Sequence, residues 1–96
     1  MTRFEWDLAK ARANEHKHAV SFEEAASVFR GFCVHEPDTR RDYGEVRFVA
    51  LGRDTNGVVL NVVYTLRGDG IRIISAWKAS RDERETYAKA QPHRAL

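Results

Sequence analysis

The sequence predicts an α+β fold with helices packed on one face of an antiparallel sheet, in the order β-α-α-β-β-β-β-α. Three observations predict it. Two serine capping boxes, Ser21-Phe22-Glu23-Glu24 and Ser80-Arg81-Asp82-Glu83, open helices. Three strand-like runs separated by two glycine turns fill residues 45–77. The helical segments stand before and after this meander instead of alternating with its strands, a grouping that argues against a parallel sheet wound between helices. With 96 residues there is enough chain for one core and too little for two. A single domain is expected over 1–90, with a short tail over 91–96.

Arg3-Phe4-Glu5-Trp6 alternates charged and apolar side chains, the period of a short strand. Asp7 then stands as an N-cap for an Ala-rich helix from Leu8 to about His16, whose Lys10, Arg12 and Glu15 are good helix formers. The first capping box starts a second helix over about 22–30, with Phe22, Ala25, Ala26 and Phe29 as its apolar stripe and Gly31 as its stop. Phe32-Cys33-Val34 reads as a short strand. The polar stretch from Glu36 to Asp42 reads as an exposed, mobile loop.

The meander follows as Glu45–Gly52, Val58–Leu66 and Ile71–Trp77. Asn56-Gly57 forms its first turn because both residues tolerate positive φ, and Arg67-Gly68-Asp69-Gly70 forms its second. The second capping box opens a last helix reaching about Ala88, and Pro92 bars any continuation.

Composition excludes several functions. The longest apolar run, Gly57–Tyr64, is broken by Asn61 and falls far short of the roughly 20 residues of a membrane span. Residues 1–7 show no apolar secretory segment, so a cytoplasmic location is expected. The lone Cys33 excludes an internal disulfide and lacks a CxxC or CxxH partner for zinc. No cofactor motif is present. The net charge of +2 is unevenly spread, with −1 over residues 1–60 and +3 over 61–96. Such a basic third suits either a phosphate-bearing or acidic partner or a plain solvated face.

Strict strand alternation sorts the polar side chains of the meander. It places Glu45 and Arg47 with Val49 and Leu51. It places Arg72 with Ile74, Ala76 and Lys78, and Ile71, Ile73, Ser75 and Trp77 on the other side. Arg72, set between isoleucines, must be ion-paired or face a cleft, because an unpaired guanidinium in a dry interior is costly. Two readings stand: a pair with Glu45 or an aspartate that fixes strand register, or an anion site where Arg47 and Arg72 offer forked donors to a phosphodiester.

His16-Lys17-His18 follows the first helix. It reads either as a cationic cluster at the helix C-terminus or as a base beside a phosphate-orienting lysine, and it has too few ligands at suitable spacing for a metal. His35 and His93 are isolated and read as solvent or packing residues. Trp6, Tyr64, Trp77 and Tyr87 are the aromatic rings on which a base could stack. Most are expected in the core; Trp77, beside Lys78 at a strand end, is the foremost candidate exception, and packing is the favoured reading even there.

The chain as a whole adds a resemblance. Phe4-Glu5-Trp6-Asp7, Lys10, Asn14, Lys17-His18, Val20, Phe22-Glu23-Glu24-Ala25 and Phe29, followed by Glu45, Arg47-Phe48, Gly52, Val62–Thr65, Arg67, Ile71–Ala76, Ala79-Ser80, Glu83 and Tyr87, resemble the BrnT family of bacterial toxins over about residues 4–88. The combined WD, KH, FEEA and RIISA pattern carries the likeness; no single piece would. Trp77 departs from it, standing where many relatives carry arginine.

The resemblance implies a RelE-like fold and a ribonuclease toxin of a type II toxin–antitoxin pair that inhibits translation and growth until bound. It also implies a BrnA-like antitoxin with a ribbon-helix-helix DNA-binding domain, through which alone operator DNA would be contacted. Metal-independent RNA cleavage needs a base for the 2′-hydroxyl, donors for the phosphorane and an acid for the leaving 5′-oxygen. His18 or Glu45 is expected as base, Arg47 and Arg72 as phosphate clamps, and Tyr87 or His18 as acid. Lys17, Arg67, Lys78 and Arg81 are expected to hold the RNA backbone. A non-catalytic partner-binding module and an inactive toxin remnant are the alternatives.

Overall fold

The computed structural model describes residues 2–92; His93 and the rest of the expected tail, 93–96, lie outside the described residues. The elements are β1 (Arg3–Glu5), α1 (Leu8–His18), α2 (Phe22–Ser27) continuing as a 3₁₀ turn (Val28–Arg30), β2 (Cys33–Pro37), β3 (Phe48–Arg53), β4 (Val59–Arg67), β5 (Gly70–Lys78) and α3 (Arg81–Ala90). The order matches the expected one. Both capping boxes form: Ser21 and Ser80 each accept from the backbone N–H three residues on, and Glu24 and Glu83 reach back. Among the described residues no helix is long and apolar enough to cross a membrane.

One five-stranded sheet, ordered β1-β5-β4-β3-β2, organises the chain. β4 lies at its centre and is buried from Val59 to Thr65. Phe22, Ala25 and Val28 of α2 and the following turn close the main core over Ala50, Leu60, Val62, Ile73 and Ala76. Gly52 is needed there because a Cβ would lie 2.7 Å from Cys33 Sγ and 3.1 Å from Val28 Cβ. The Asp54–Gly57 turn is tied internally: Asp54 Oδ1 accepts from the Asn56 and Val58 amides.

Four features differ from the expected layout. First, β1 runs parallel to β5, so the sheet is mixed. A chain leaving β1 must cross through α1 and α2 before it can return, which permits a parallel neighbour. Second, α3 packs on the opposite face from α1 and α2, where Tyr87, Ala79 and Val59 meet Val34 and Leu51. Third, β2 runs to Pro37, with Glu36 and Pro37 paired to Val49 and Phe48. An edge strand tolerates a terminal proline because its missing N–H is not needed by a second neighbour. Correspondingly β3 starts at Phe48, and Glu45–Arg47 stay in the loop.

The fourth difference changes which side chains share a face. Tyr64 pairs with Ile73 while Val63 pairs with Ser75, so Ile74 is the extra residue of a β-bulge. Beyond it the parity of β5 inverts. Ile73 and Ala76 share the core face, whereas Arg72, Ser75 and Trp77 share the other, opposite Thr65, Val63 and Asn61. The strict alternation expected from sequence is therefore wrong for this strand.

β1 reaches only Gly70–Arg72, leaving the rest of β5 as a sheet edge beside α1. Asn14 fills the gap. Its Oδ1 accepts from the Ala76 amide at 3.0 Å, and its Nδ2 donates to the Ala76 carbonyl at 2.9 Å and the Val20 carbonyl at 3.1 Å. This buried carboxamide replaces a missing strand at one residue. Asn14→Ala is expected to lower unfolding free energy by about 2–3 kcal/mol, because it strands these backbone groups. Asn14→Asp should do comparable damage, since it offers no donor. Urea titration checks both, and a loss under about 0.5 kcal/mol would contradict this account.

Candidate nucleic-acid interface

The segment between β2 and β3 is fastened across the sheet face opposite α1 and α2. The Asp38 amide donates to the Arg47 carbonyl at 2.8 Å, closing the loop at its base. Thr65 Oγ1 donates to the Val46 carbonyl at 2.7 Å. The Asp38 carboxylate, whose side chain is 1% exposed, accepts from Arg40 Nε and Nη2 at 2.8 and 2.9 Å and from Tyr43 Oη at 3.2 Å. Arg40 lies over the Trp77 ring and Arg47 over the Tyr43 ring, 5.3 and 4.2 Å from their centroids. The polar stretch expected to be mobile is thus a tied strap. Arg40 and Arg47 are held there by stacking and ion pairing.

Beneath the strap is a hollow of about 320 Å³, lined by Asp38, Arg40, Arg41, Tyr43 and Arg47 and floored by Val63, Ile74 and Ser75. A second hollow of about 230 Å³ lies between α1 and β5, lined by Lys10, Lys17 and His18 and again by Ile74 and Ser75. The two meet at the β5 bulge. Guanidinium forks on one side and an ammonium with an imidazole on the other make a strip suited to an anion.

The expected site residues divide accordingly. Arg47 lines the first hollow and pairs with Glu45 at 2.9 Å; Arg67 approaches the same carboxylate at 3.7 Å. Lys17 and His18 line the second, and the His18 ring centroid is 6.2 Å from that of Trp77. Arg72 does not join Arg47: its Nη1 pairs with Glu5 Oε2 at 3.0 Å, and these two residues are register partners. The pairing reading therefore holds for Arg72, with Glu5 in place of Glu45 or an aspartate. Lys78 ends β5 and Arg81 opens α3, both exposed; Arg81 pairs with Glu85 at 3.5 Å.

Tyr87 requires correction as a candidate acid. It is 2% exposed inside the α3 packing, and its hydroxyl donates to the Phe32 carbonyl at 2.9 Å. A proton committed to a buried carbonyl is not offered to a substrate. Trp6 and Tyr64 are likewise packing residues, Trp6 edge-on to Phe22 and Tyr64 bonded to His35 Nδ1 at 2.8 Å. Trp77 remains as the half-buried ring beside the hollows. Sequence reasoning missed Asp38, Arg40 and Arg41. The available signal was Asp-x-Arg-Arg within five residues of a tyrosine, which reads equally well as an ordinary polar loop. Among the described residues no group of three or more His, Cys, Asp or Glu side chains is disposed to hold a metal ion.

The Arg40 guanidinium holds the Asp38 carboxyl down at about 2, from its ordinary 3.8. Because the folded value is depressed, the stability it contributes is present above about pH 4 and lost as pH falls through about 2. Asp38→Asn should therefore be less stable than the wild type at neutral pH. The gap should close between about pH 4 and about 2, as read by urea unfolding at a series of pH values. A gap independent of pH would remove the ion pair from the account.

The sequence matches the family described as "Ribonuclease toxin, BrnT, of type II toxin-antitoxin system" over residues 6–83. No curated protein matches it. The crystal structure of the Brucella abortus ribonuclease toxin BrnT is similar to this chain, with a TM-score of 0.62 and 19% identity, covering 84% of this chain and 100% of that one. At that identity the likeness speaks for the fold, while the family match spans most of the chain and includes α1, the strap and the β5 bulge. The chain therefore belongs to the BrnT family, the ribonuclease toxins of type II toxin–antitoxin systems.

Proposed function

We propose that this ribonuclease toxin cleaves single-stranded RNA by metal-independent acid–base chemistry, with the scissile phosphate seated on the Ile74–Ser75 bulge. The observation that carries this reading is the meeting of two cation-lined hollows there. Arg40, Arg41 and Arg47 face the phosphate from the strap, and Lys17 faces it from α1. Fixed donors of this kind stabilise charge as it builds on the phosphorane, because they need no rearrangement during reaction.

Glu45, held by Arg47 and Arg67, takes the proton from the 2′-hydroxyl, and the oxygen attacks phosphorus. His18, reaching the bulge from α1, protonates the departing 5′-oxygen. An imidazole can exchange a proton near neutral pH, which suits it to this role. Arg72 acts at one remove by anchoring β1 through Glu5. Arg67, Lys78 and Arg81 contact neighbouring phosphates, each contact adding to the salt dependence of binding.

The family implies an antitoxin partner. We infer a BrnA-like protein with a ribbon-helix-helix domain that covers the strap and α1, and through which the complex contacts operator DNA. Neutralisation follows directly when the partner occupies the phosphate strip, and an RNA substrate sets the cytoplasm as the place of action.

With EDTA present, the wild type is expected to cleave a labelled RNA, and Arg47→Ala to lose about 10²–10³-fold. His18→Ala should lose about 10²–10⁴-fold on ordinary RNA and recover on RNA with a bridging 5′-thio leaving group, which departs without an acid. Absence of that recovery would remove His18 from the acid role. Failure of the folded wild type to cleave at all would favour a partner-binding or remnant reading.

A further inference from the structure

A third hollow, of about 360 Å³, lies on the same sheet face as the strap, and Asp38 and Arg40 line both it and the phosphate hollow. The proposed cleavage chemistry does not use it. Trp77 and Asn61 form part of its lining and are register partners across β5 and β4, which places them side by side on one face. Glu36 of β2 and Glu83 of α3 stand at its rim. Asp38 grips Arg40 with two bonds, so the guanidinium near Trp77 is a fixed wall.

Asn61 is the telling residue. It is 5% exposed, and its Nδ2 donates to Glu83 Oε1 at 3.1 Å, which sets the orientation of the amide. Among the described residues no group donates to its Oδ1, and none of their fully buried side-chain polar atoms lacks a partner. The oxygen therefore keeps accessible surface, and Asn61 lines both this hollow and a smaller one of about 170 Å³ beside it, toward Val34 and Thr86. A carboxamide oxygen with no protein donor is free to accept from water or from a ligand seated in the hollow.

The chemistry of the walls selects the occupant. Carboxylates at the rim disfavour phosphate, so this is no extension of the cationic strip. Trp77 offers a flat apolar ring of the kind on which unpaired bases stack. Asn61 Oδ1 and the Glu36 and Glu83 carboxylates all accept hydrogen bonds. Guanine presents two adjacent donors, N1–H and the 2-amino group, along one edge. Adenine and cytosine present one amino group there, and uracil flanks its single N–H with carbonyls that carboxylates repel.

We propose that this hollow is a guanine subsite of the RNA site, with Trp77 stacking on the base and Glu36 and Asn61 accepting from its Watson–Crick edge. The proposal rests on the reading that RNA binds at the β5 bulge. It adds the base specificity of that site, with Arg40 shared between base and phosphate hollows.

The test uses dye-labelled, fully 2′-O-methylated tetranucleotides UUGU, UUAU, UUCU and UUUU, which bind without being cleaved. Fluorescence anisotropy is expected to rank UUGU at least tenfold tighter than the others. Trp77→Ala should weaken UUGU about tenfold and abolish the ranking, and Trp77→Phe should retain most of it. Glu36→Gln, an exposed side chain on β2, should shrink the ratio of UUGU to UUUU affinity toward one. Equal affinity for all four, or a ranking that survives Trp77→Ala in a folded chain, would overturn the subsite. All-RNA versions of the tetranucleotides separate the two readings. Cleavage without guanine preference removes the subsite alone, and tight UUGU binding without cleavage removes the cleavage mechanism alone.

Discussion

Strand β5 is both an interior strand and an edge, and the site depends on how the chain reconciles the two. Along Gly70–Arg72 it has β1 and β4 on either side; farther on it has β4 alone. An open edge of unpaired amides invites association with other chains, and buried unpaired amides are costly. Here the edge is met by one carboxamide, that of Asn14, which pairs both backbone groups of Ala76. That contact docks α1 at the end of β5 and so brings its last turn, with Lys17 and His18, to the bulge.

The bulge does the complementary work from inside the sheet. By inserting Ile74, it turns Ile73 and Ala76 toward the main core and Ser75 and Trp77 toward the strap. Without the insertion, a strand that buries Ile71 and Ile73 would turn Ala76 away from the core and carry Ser75 and Trp77 into it. The same distortion creates a floor that both cation-lined hollows share. The strap then depends on Asp38, whose carboxylate gathers Arg40 and Tyr43 and leaves Arg47 stacked on the Tyr43 ring. The strap mixes both signs of charge: Asp38 pairs Arg40 and Glu45 pairs Arg47, so these two arginines stand near each other with their charges matched.

The legible parts of the fold are those set by local chemistry. Both capping boxes, the glycine turn and the meander strands are written in contiguous residues and formed, although Glu45–Arg47 stay outside β3 and only Gly57 of the Asn56-Gly57 pair takes a positive φ. What was not legible depends on partners distant in sequence. Ile74 looks like any other isoleucine in Ile71-Arg72-Ile73-Ile74, and only its register against Val63 and Tyr64 reveals a bulge. Glu5 and Arg72 lie 67 residues apart, and only the parallel pairing of β1 brings them together. For the site, Arg47, Lys17 and His18 were recognisable as cations or bases. Tyr87 and Arg72 looked equally functional until burial and ion pairing accounted for them. Asp38, Arg40 and Arg41 were hidden because a polar run carries no mark of the sheet face over which it will fold.

The central claim is that strap and α1 present one continuous phosphate site across the bulge. Amide chemical-shift mapping of the ¹⁵N-labelled protein with an uncleavable 2′-O-methyl dinucleotide tests it most directly. The account predicts simultaneous shifts at Lys17 and His18, at Ile74 and Ser75, and at Arg40, Arg41 and Arg47, all following one binding curve. Shifts confined to one side of the bulge, or centred on Lys78 and Arg81, would contradict it.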